Sequence, residues 1–159
     1  MDLILYEEEL AGIQAIISRL HLDSRSKVVF VVDKNGQQIA AGGDIGNIDP
    51  TSLASLTAGN VAATDGLAKL IGEKEFSILF HEGERDHVHI SIVANRVILV
   101  VIFDDRSSLG LVRLRTKKAQ QELTVIIENM LAKSKRDATG SVGSAFSEIT
   151  DEDIDNLFS

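Results

Sequence analysis

Cysteine is absent from this sequence of 159 residues. Its absence excludes disulfide bonds, thiolate catalysis and cysteine-ligated metal sites, and it is compatible with a reducing compartment. Long apolar runs are also missing, since none approaches the roughly 18 residues that a membrane span requires. The first residues, MDLILYEEEL, lack the basic region and the small-residue cleavage site of a signal peptide. We therefore expect a cytoplasmic protein.

Positive charge is in deficit, because 16 Lys and Arg residues face 24 Asp and Glu residues and leave a formal net charge of -8. Nucleic acids are bound through a basic face, so this balance argues against nucleic acid as the main partner. The 44% hydrophobic content is enough for the core of one domain. A neutral or basic protein fits this composition better as a partner.

The pattern along the chain predicts an α/β (α+β) protein with the order α-β-β-α-β-β-β-α. Apolar residues at helical spacing begin the chain, and the continuous run KVVFVVD predicts a buried strand before the hairpin signal Asn35-Gly36. Asp49 and Pro50 are typical of a helix start. The predicted elements are a first helix through Leu20, strands at 27–33 and through Ile39, a helix at 50–72, strands at 76–82, 87–94 and 97–103, and a helix from Ser107.

The end of the chain divides into two further parts. We expect the folded domain to span residues 1–133 and the small, polar residues 134–147 to form a flexible linker. Segment 148–159 is acidic and contains no base, as in many solubilising termini. However, its apolar residues recur at helical spacing, which favours a docking segment. The predicted docking residues are Ile149, Ile154, Leu157 and Phe158.

The second helix has an unusually bare side. At about 100° per residue, one side collects Leu53, Leu56, Asn60, Leu67, Leu70 and Ile71, and we expect that side to rest on the sheet. The opposite side carries small residues, with charge only from Asp65 and Lys69. An exposed helical face normally carries Lys, Glu and Gln, so we expect protein to cover this one, either a partner or another element of the same chain. The predicted partner interface is Ala54, Ser55, Ala58, Gly59, Ala62, Ala63, Gly66 and Lys69.

Several stretches resemble a known family. NIDPTSLASLTAGNVAATDGLAKLIGEKEF, KVVFVVDKNGQ, RVILVVIFDDRSSLGLVRLR and EITDEDIDNLFS are similar to the Roadblock/dynein light chain family, in the branch that regulates an MglA-type Ras-like GTPase. The resemblance covers nearly the whole chain. It implies a five-stranded antiparallel sheet with helices on both faces. It also implies a homodimer with adjacent second helices and sheets that join, and one GTPase over the paired helices.

The function implied by the resemblance is GTPase activation in motile bacteria, with the protein concentrated at a cell pole beside other polar-localisation proteins. Members of this branch are expected to act without an arginine finger, by rearranging the GTPase so that its own residues point at the nucleotide. For the terminal segment the resemblance implies docking onto the GTPase and an effect on nucleotide exchange. Two alternatives remain open: Arg106, Arg113 or Arg115 as a finger, and a dimeric adaptor that leaves hydrolysis unchanged.

Motifs for catalysis or cofactors are weak. The phosphate-binding pattern GxxxxGK[ST] is missing, so GGDIGN predicts a flexible connection. His81, His87 and His89 lie near acidic residues, but a solvated strand end explains them better than a metal site. Ser107 and Ser108 have no recognisable histidine partner. We therefore predict a regulator with no catalytic residue, no cofactor-binding residue and no metal ligand of its own.

Overall fold

The computed structural model describes the backbone of residues 6–147 and the side chains of residues 6–136. Three helices and five strands follow the predicted order α-β-β-α-β-β-β-α, which confirms the predicted fold class. The elements are α1 (Glu7–Ser24), β1 (Val28–Asp33), β2 (Gln38–Gly43), α2 (Pro50–Leu70), β3 (Ile78–Glu82), β4 (His87–Val93), β5 (Val97–Phe103) and α3 (Leu109–Ser147). None of the helices within residues 6–147 combines the length and the apolar character needed to cross a membrane.

The five strands form one sheet in the order β2-β1-β5-β4-β3, and every neighbouring pair is antiparallel. β5 lies in the middle and all of its residues are buried, while β1 beside it is buried as far as Val32. β2 and β3 are the two edge strands. β3 is the more exposed edge, and Ile78 keeps 48% of its surface accessible.

Side chains alternate between the two faces of the sheet, so the sheet supports two cores. α1 and α3 cover one face, where Val29, Val31, Leu99 and Val101 meet apolar residues of both helices. α2 alone covers the other face, where the alternate residues of the same strands point. This arrangement confirms the predicted placement of helices on both faces.

Local side-chain bonds explain where the helices and the first hairpin begin. Asp49 caps α2, since its carboxylate accepts a hydrogen bond from the Thr51 amide at 3.2 Å and another from the Ser52 hydroxyl at 2.6 Å. The Ser108 hydroxyl accepts from the Leu111 amide at 3.2 Å at the start of α3. In the hairpin loop, the Asp33 carboxylate accepts from the amides of Asn35 and Gln37.

Several element ends differ from the prediction, and two of the differences have a clear physical reason. β2 continues through Gly42 and Gly43, which the sequence placed in a loop. Gly43 has φ +97°, and a Cβ there would lie 2.4 Å from the Lys27 carbonyl oxygen, so the strand can end only on glycine. α3 continues through residues 134–147, where we expected a flexible linker. Adding a turn to an existing helix costs less free energy than nucleating a new one. Ser134, the first residue of this continuation, is buried.

Candidate partner interface on helix α2

α2 is rotated relative to the predicted orientation. Its sheet-facing side consists of small residues, with Ala54 only 2% exposed, and the predicted interface residues Ala54 and Ala58 therefore pack inside the protomer. The prediction that these two residues face a partner is wrong. Alanines let the helix approach the large β-branched and aromatic side chains of β1 closely. The buried residues of α2 are Ala54, Thr57, Ala58, Val61 and Ala68.

Large apolar residues occupy the outer side of α2 instead. Leu56 is 73% exposed and Leu70 is 85% exposed, although the sequence pattern placed both on the sheet. Leu67 and Ile71 are also exposed, so this part of the prediction is wrong as well. We call Leu56, Ala63, Leu67 and Leu70 the outer row of α2. At about 100° per residue these four lie within roughly 60° of each other.

A second row of small residues lies beside the outer row. Ser55, Gly59, Ala62 and Gly66 are exposed, and we call them the small row of α2. A Cβ built at Gly59 or Gly66 meets no atom within 4 Å. Space above these glycines is therefore open within the described protomer, and a partner backbone could approach there. The remaining residues of the predicted interface are therefore all exposed: Ser55, Gly59, Ala62, Ala63, Gly66 and Lys69.

The exposed edge strand β3 borders the same side of the molecule as α2. The Asn60 side chain of α2 contacts the His81 ring of β3, with Nδ2 and Nε2 3.0 Å apart. His81 thus points to the α2 face, whereas His89 is buried on the opposite face under α3. α2 and β3 therefore present one continuous surface that combines exposed apolar side chains with an unpaired strand edge.

The predicted alternative fingers lie away from this surface. Arg113 and Arg115 belong to α3, on the opposite face of the sheet. Arg106 is held by Asp104, whose two carboxylate oxygens accept from Nε and Nη2 at 3.0 Å each. This pairing lowers the pKa of the Asp104 carboxyl. Among the exposed residues of α2, Lys69 is the single cation.

The three histidines near the strand ends do not converge. His89 is buried, and among the side chains of residues 6–136 neither of its ring nitrogens has a hydrogen-bond partner. Burial, followed by the charge of Arg113, lowers its pKa. The His87 ring packs against Phe103 with centroids 5.2 Å apart. Within the described residues, no three His, Cys, Asp or Glu side chains are grouped so that they could hold a metal ion. The terminal docking residues Ile149, Ile154, Leu157 and Phe158 lie outside the described part of the chain.

Comparison with known proteins assigns the family. The Roadblock/LC7 domain matches residues 13–103, which cover the chain from α1 to the end of β5. The chain belongs to the Roadblock/LC7 family. A solved structure of Myxococcus xanthus MglB is similar at 62% sequence identity and TM-score 0.77, covering 80% of this chain and 96% of that one.

Two further solved structures extend this Roadblock similarity. The gliding protein MglB from Thermus thermophilus is 30% identical, with TM-score 0.76, and the match covers 80% of this chain and 97% of that one. A structure described as MglB with tetrameric arrangement is 29% identical, with TM-score 0.75 and coverages of 81% and 97%. Among curated proteins no match is found. The predicted resemblance to the Roadblock family is thus confirmed, and all three of these similar solved structures are MglB proteins.

Proposed function

We propose that this protein is a homodimeric GTPase-activating protein for a small Ras-like GTPase of the MglA type, controlling cell polarity and gliding motility in the cytoplasm and concentrated at a cell pole. The observation that carries the proposal is the surface of α2, where an apolar outer row lies beside an open small row. The 62% identity with Myxococcus xanthus MglB and the similarity to the gliding protein from Thermus thermophilus support the biological setting.

The outer row and the edge of β3 favour a symmetric dimer. Burial of exposed leucines stabilises a contact by about 25 cal/mol per Å² of apolar surface removed from water. Pairing of β3 with β3 of a second copy would satisfy the free backbone groups of this edge. The same contact would bring two α2 helices next to each other. The outer row of each helix would then form the dimer contact, and the two small rows together would form a platform for a partner.

The small row is the proposed contact with the GTPase. Gly59, Ala62 and Gly66 leave room for a partner backbone at a distance that longer side chains would prevent. Lys69, at the end of the row, adds a charge that can pair with a carboxylate of the GTPase. A platform built from two copies of this row would hold one GTPase over two chains.

The proposed activation mechanism uses no arginine finger from this chain. Lys69 is the one exposed cation of α2, so the small row itself carries no arginine that could enter beside the transferring phosphoryl group. Activation is then a population shift, in which the dimer binds the hydrolysis-competent conformation of the GTPase more tightly than the relaxed one. The GTPase's own residues carry out the chemistry, so this protein is a regulator and not itself an enzyme.

Segment 148–159 is proposed as a second contact with the GTPase. Its sequence combines acidic residues with Ile149, Ile154, Leu157 and Phe158, which could enter an apolar groove of the partner. Linkage to the main contact raises its effective concentration. We expect removal of this segment to change GTPase affinity and nucleotide exchange while the dimer stays folded. The cut belongs after Ser147, since Lys133 contacts Glu9 of α1 and Ser134 is buried.

The second candidate function is a dimeric adaptor that holds a GTPase or a polarity complex in place without changing hydrolysis. The same α2 surface would serve it, and the tetrameric arrangement of a similar MglB gives a precedent for larger assemblies. Turnover measurements separate the two functions, since only the activator changes the rate.

The deciding experiment is GTP turnover by the MglA-type GTPase of the same organism, alone and with increasing amounts of this protein. We expect turnover to rise and to saturate near two chains per GTPase. Ala62→Arg should lower the stimulation at least tenfold, because a long charged side chain would stand in the small row. A rate that stays at the basal value despite binding would favour the adaptor.

The matched control introduces the same side chain on the other layer of the molecule. Ala15→Arg places an arginine on the exposed side of α1, which covers the opposite face of the sheet from α2, and should leave stimulation unchanged. Circular dichroism and thermal unfolding confirm that both variants are folded. Full stimulation by Ala62→Arg would show that the small row is not the GTPase contact.

A further inference from the structure

α3 carries an unusual exposed strip of its own. Leu114 is 62% exposed and Val125 is 57% exposed, and Lys117 and Lys118 lie between them. We call Leu114, Lys117, Lys118, Gln121 and Val125 the α3 strip. At about 100° per residue, Leu114, Gln121 and Val125 form one line on the outer side of the helix, and the two lysines flank this line on either side.

The cations of this region form no ion pair within the described protomer. Among the side chains of residues 6–136, the ion pairs are Arg19 with Glu122, Lys27 with Asp86, Arg106 with Asp104 and Lys133 with Glu9. Arg113, Arg115, Lys117 and Lys118 take part in none of these four pairs. Arg115 also leaves its buried Nε without a hydrogen-bond acceptor in this part of the chain.

Four such cations within six residues are notable in a chain of net charge -8. The chain contains a segment of opposite character. Segment 148–159, EITDEDIDNLFS, has acidic residues but no base, and its apolar residues Ile154, Leu157 and Phe158 recur at spacings of three and four. Its charge complements the lysines of the α3 strip, and its apolar side complements Leu114 and Val125. We propose that the α3 strip is a docking surface for segment 148–159 of a second copy of this chain.

The geometry of α3 decides which copy supplies the segment. α3 ends at Ser147, so Lys117 lies roughly 45 Å along the helix from the start of the segment, at 1.5 Å per residue. Even fully extended, segment 148–159 spans only about 40 Å. Ile154 would reach little more than half of the required distance. Leu157 and Phe158 could approach only Val125, which lies roughly 33 Å from Ser147, whereas Leu114 and both lysines stay out of reach of the acidic and apolar residues of their own chain. The full contact therefore forms between copies.

This contact would regulate the availability of the segment. A segment bound to the α3 strip of another copy cannot simultaneously dock onto another protein, so self-association and partner binding compete. Because the contact is largely ionic at the exposed rim, it should weaken as salt is added. The proposal depends on charge and reach and does not depend on GTPase activation.

The experiment uses a fluorescent peptide of residues 148–159 and the chain truncated after Ser147. Fluorescence anisotropy should show saturable binding that weakens at least fivefold between 50 and 300 mM salt. Lys117→Glu/Lys118→Glu should weaken binding at least tenfold. The matched control Lys69→Glu/Lys74→Glu, with the same change in net charge on the α2 side of the molecule, should retain affinity within twofold.

The full-length chain provides the second measurement. Sedimentation should show salt-sensitive association beyond the dimer that grows with concentration, and this larger species should disappear both in the truncated chain and in Lys117→Glu/Lys118→Glu. All variant positions are exposed, so the folded state should persist, as thermal unfolding can verify. Absence of peptide binding, or equal binding by the strip variant and the control, would overturn the proposal whatever the effect of the protein on GTP turnover.

Discussion

The two faces of the sheet are built by opposite rules. On the α1 and α3 face, large apolar residues such as Leu123, Ile127 and Met130 point inward and are fully buried. On the α2 face, alanines point inward while leucines point into solvent. The first face is a finished core within one chain. The second face has a thin core, and its outer side exposes large apolar residues. Such exposure is expected of a surface that binds another protein.

The largest expected effect comes from charge placed on the inner side of α2. Ala58→Arg puts a cation against the sheet, and we expect the free energy of unfolding to fall by roughly 4 kcal/mol. Ala62→Arg, one turn later on the exposed side, should cost less than about 0.5 kcal/mol of protomer stability. Urea unfolding followed by circular dichroism measures both. Equal losses would mean that Ala62 is also packed inside the protomer.

A pair of leucine truncations compares the two faces directly. Leu123→Ala removes a fully buried side chain from α3 and should cost about 3 kcal/mol of unfolding free energy. Leu67→Ala removes an exposed side chain of the outer row, and its effect should appear as an approximately tenfold weaker dimer, equivalent to about 1.4 kcal/mol. Analytical ultracentrifugation measures the dimer constant. An unchanged constant would remove Leu67 from the dimer contact.

The buried histidine makes the α3 face sensitive to pH. Burial, and next the Arg113 charge, lower the pKa of His89 in the folded state below its ordinary value of about 6.5. The unfolded chain then binds the proton more readily, so stability is complete above about pH 6.5 and is lost as pH falls below it. Between pH 7.5 and pH 5.5, the free energy of unfolding should fall less in His89→Leu than in the unchanged protein. An identical loss in both proteins would contradict this assignment.

The smallest expected effect concerns the small row. Gly66→Ala should raise protomer stability by up to about 1 kcal/mol, since alanine favours a helix interior and its Cβ meets no atom within 4 Å. The same methyl group should weaken GTPase binding if a partner backbone approaches there. Thermal unfolding and a binding titration test the two parts together. Improved stability without weaker binding would show that the contact at Gly66 is loose.

The sequence was sufficient for the order of the elements because each one carries a local signal. Asp49 with Pro50 starts α2, and the continuous apolar runs of β1 and β5 match strands buried on both faces. The family resemblance added the antiparallel sheet and the placement of helices on both of its faces. These features depend on short-range patterns and on a well-populated family.

The rotation of α2 could not be predicted from residue size. We assumed that Leu56, Leu67 and Leu70 face the core because they are the largest apolar residues of the helix. That assumption holds for a helix whose large apolar residues all face the core, whereas α2 places its alanines against the sheet and its leucines at the surface. The spacing of Ala54, Ala58, Val61 and Ala68 was the available signal, since these four residues follow a regular helical stripe. The extent of α3 past residue 133 was missed because its composition is polar and rich in glycine and serine.

The free edge of β3 has a consequence for how the protein responds to its own abundance. If copies join at this edge, the number of complete platforms rises with the square of protomer concentration while most of the protein is monomeric. A twofold local enrichment then gives about four times as many platforms. A modest gradient of the protein along a cell would thus become a sharper gradient of activity, with no additional component required.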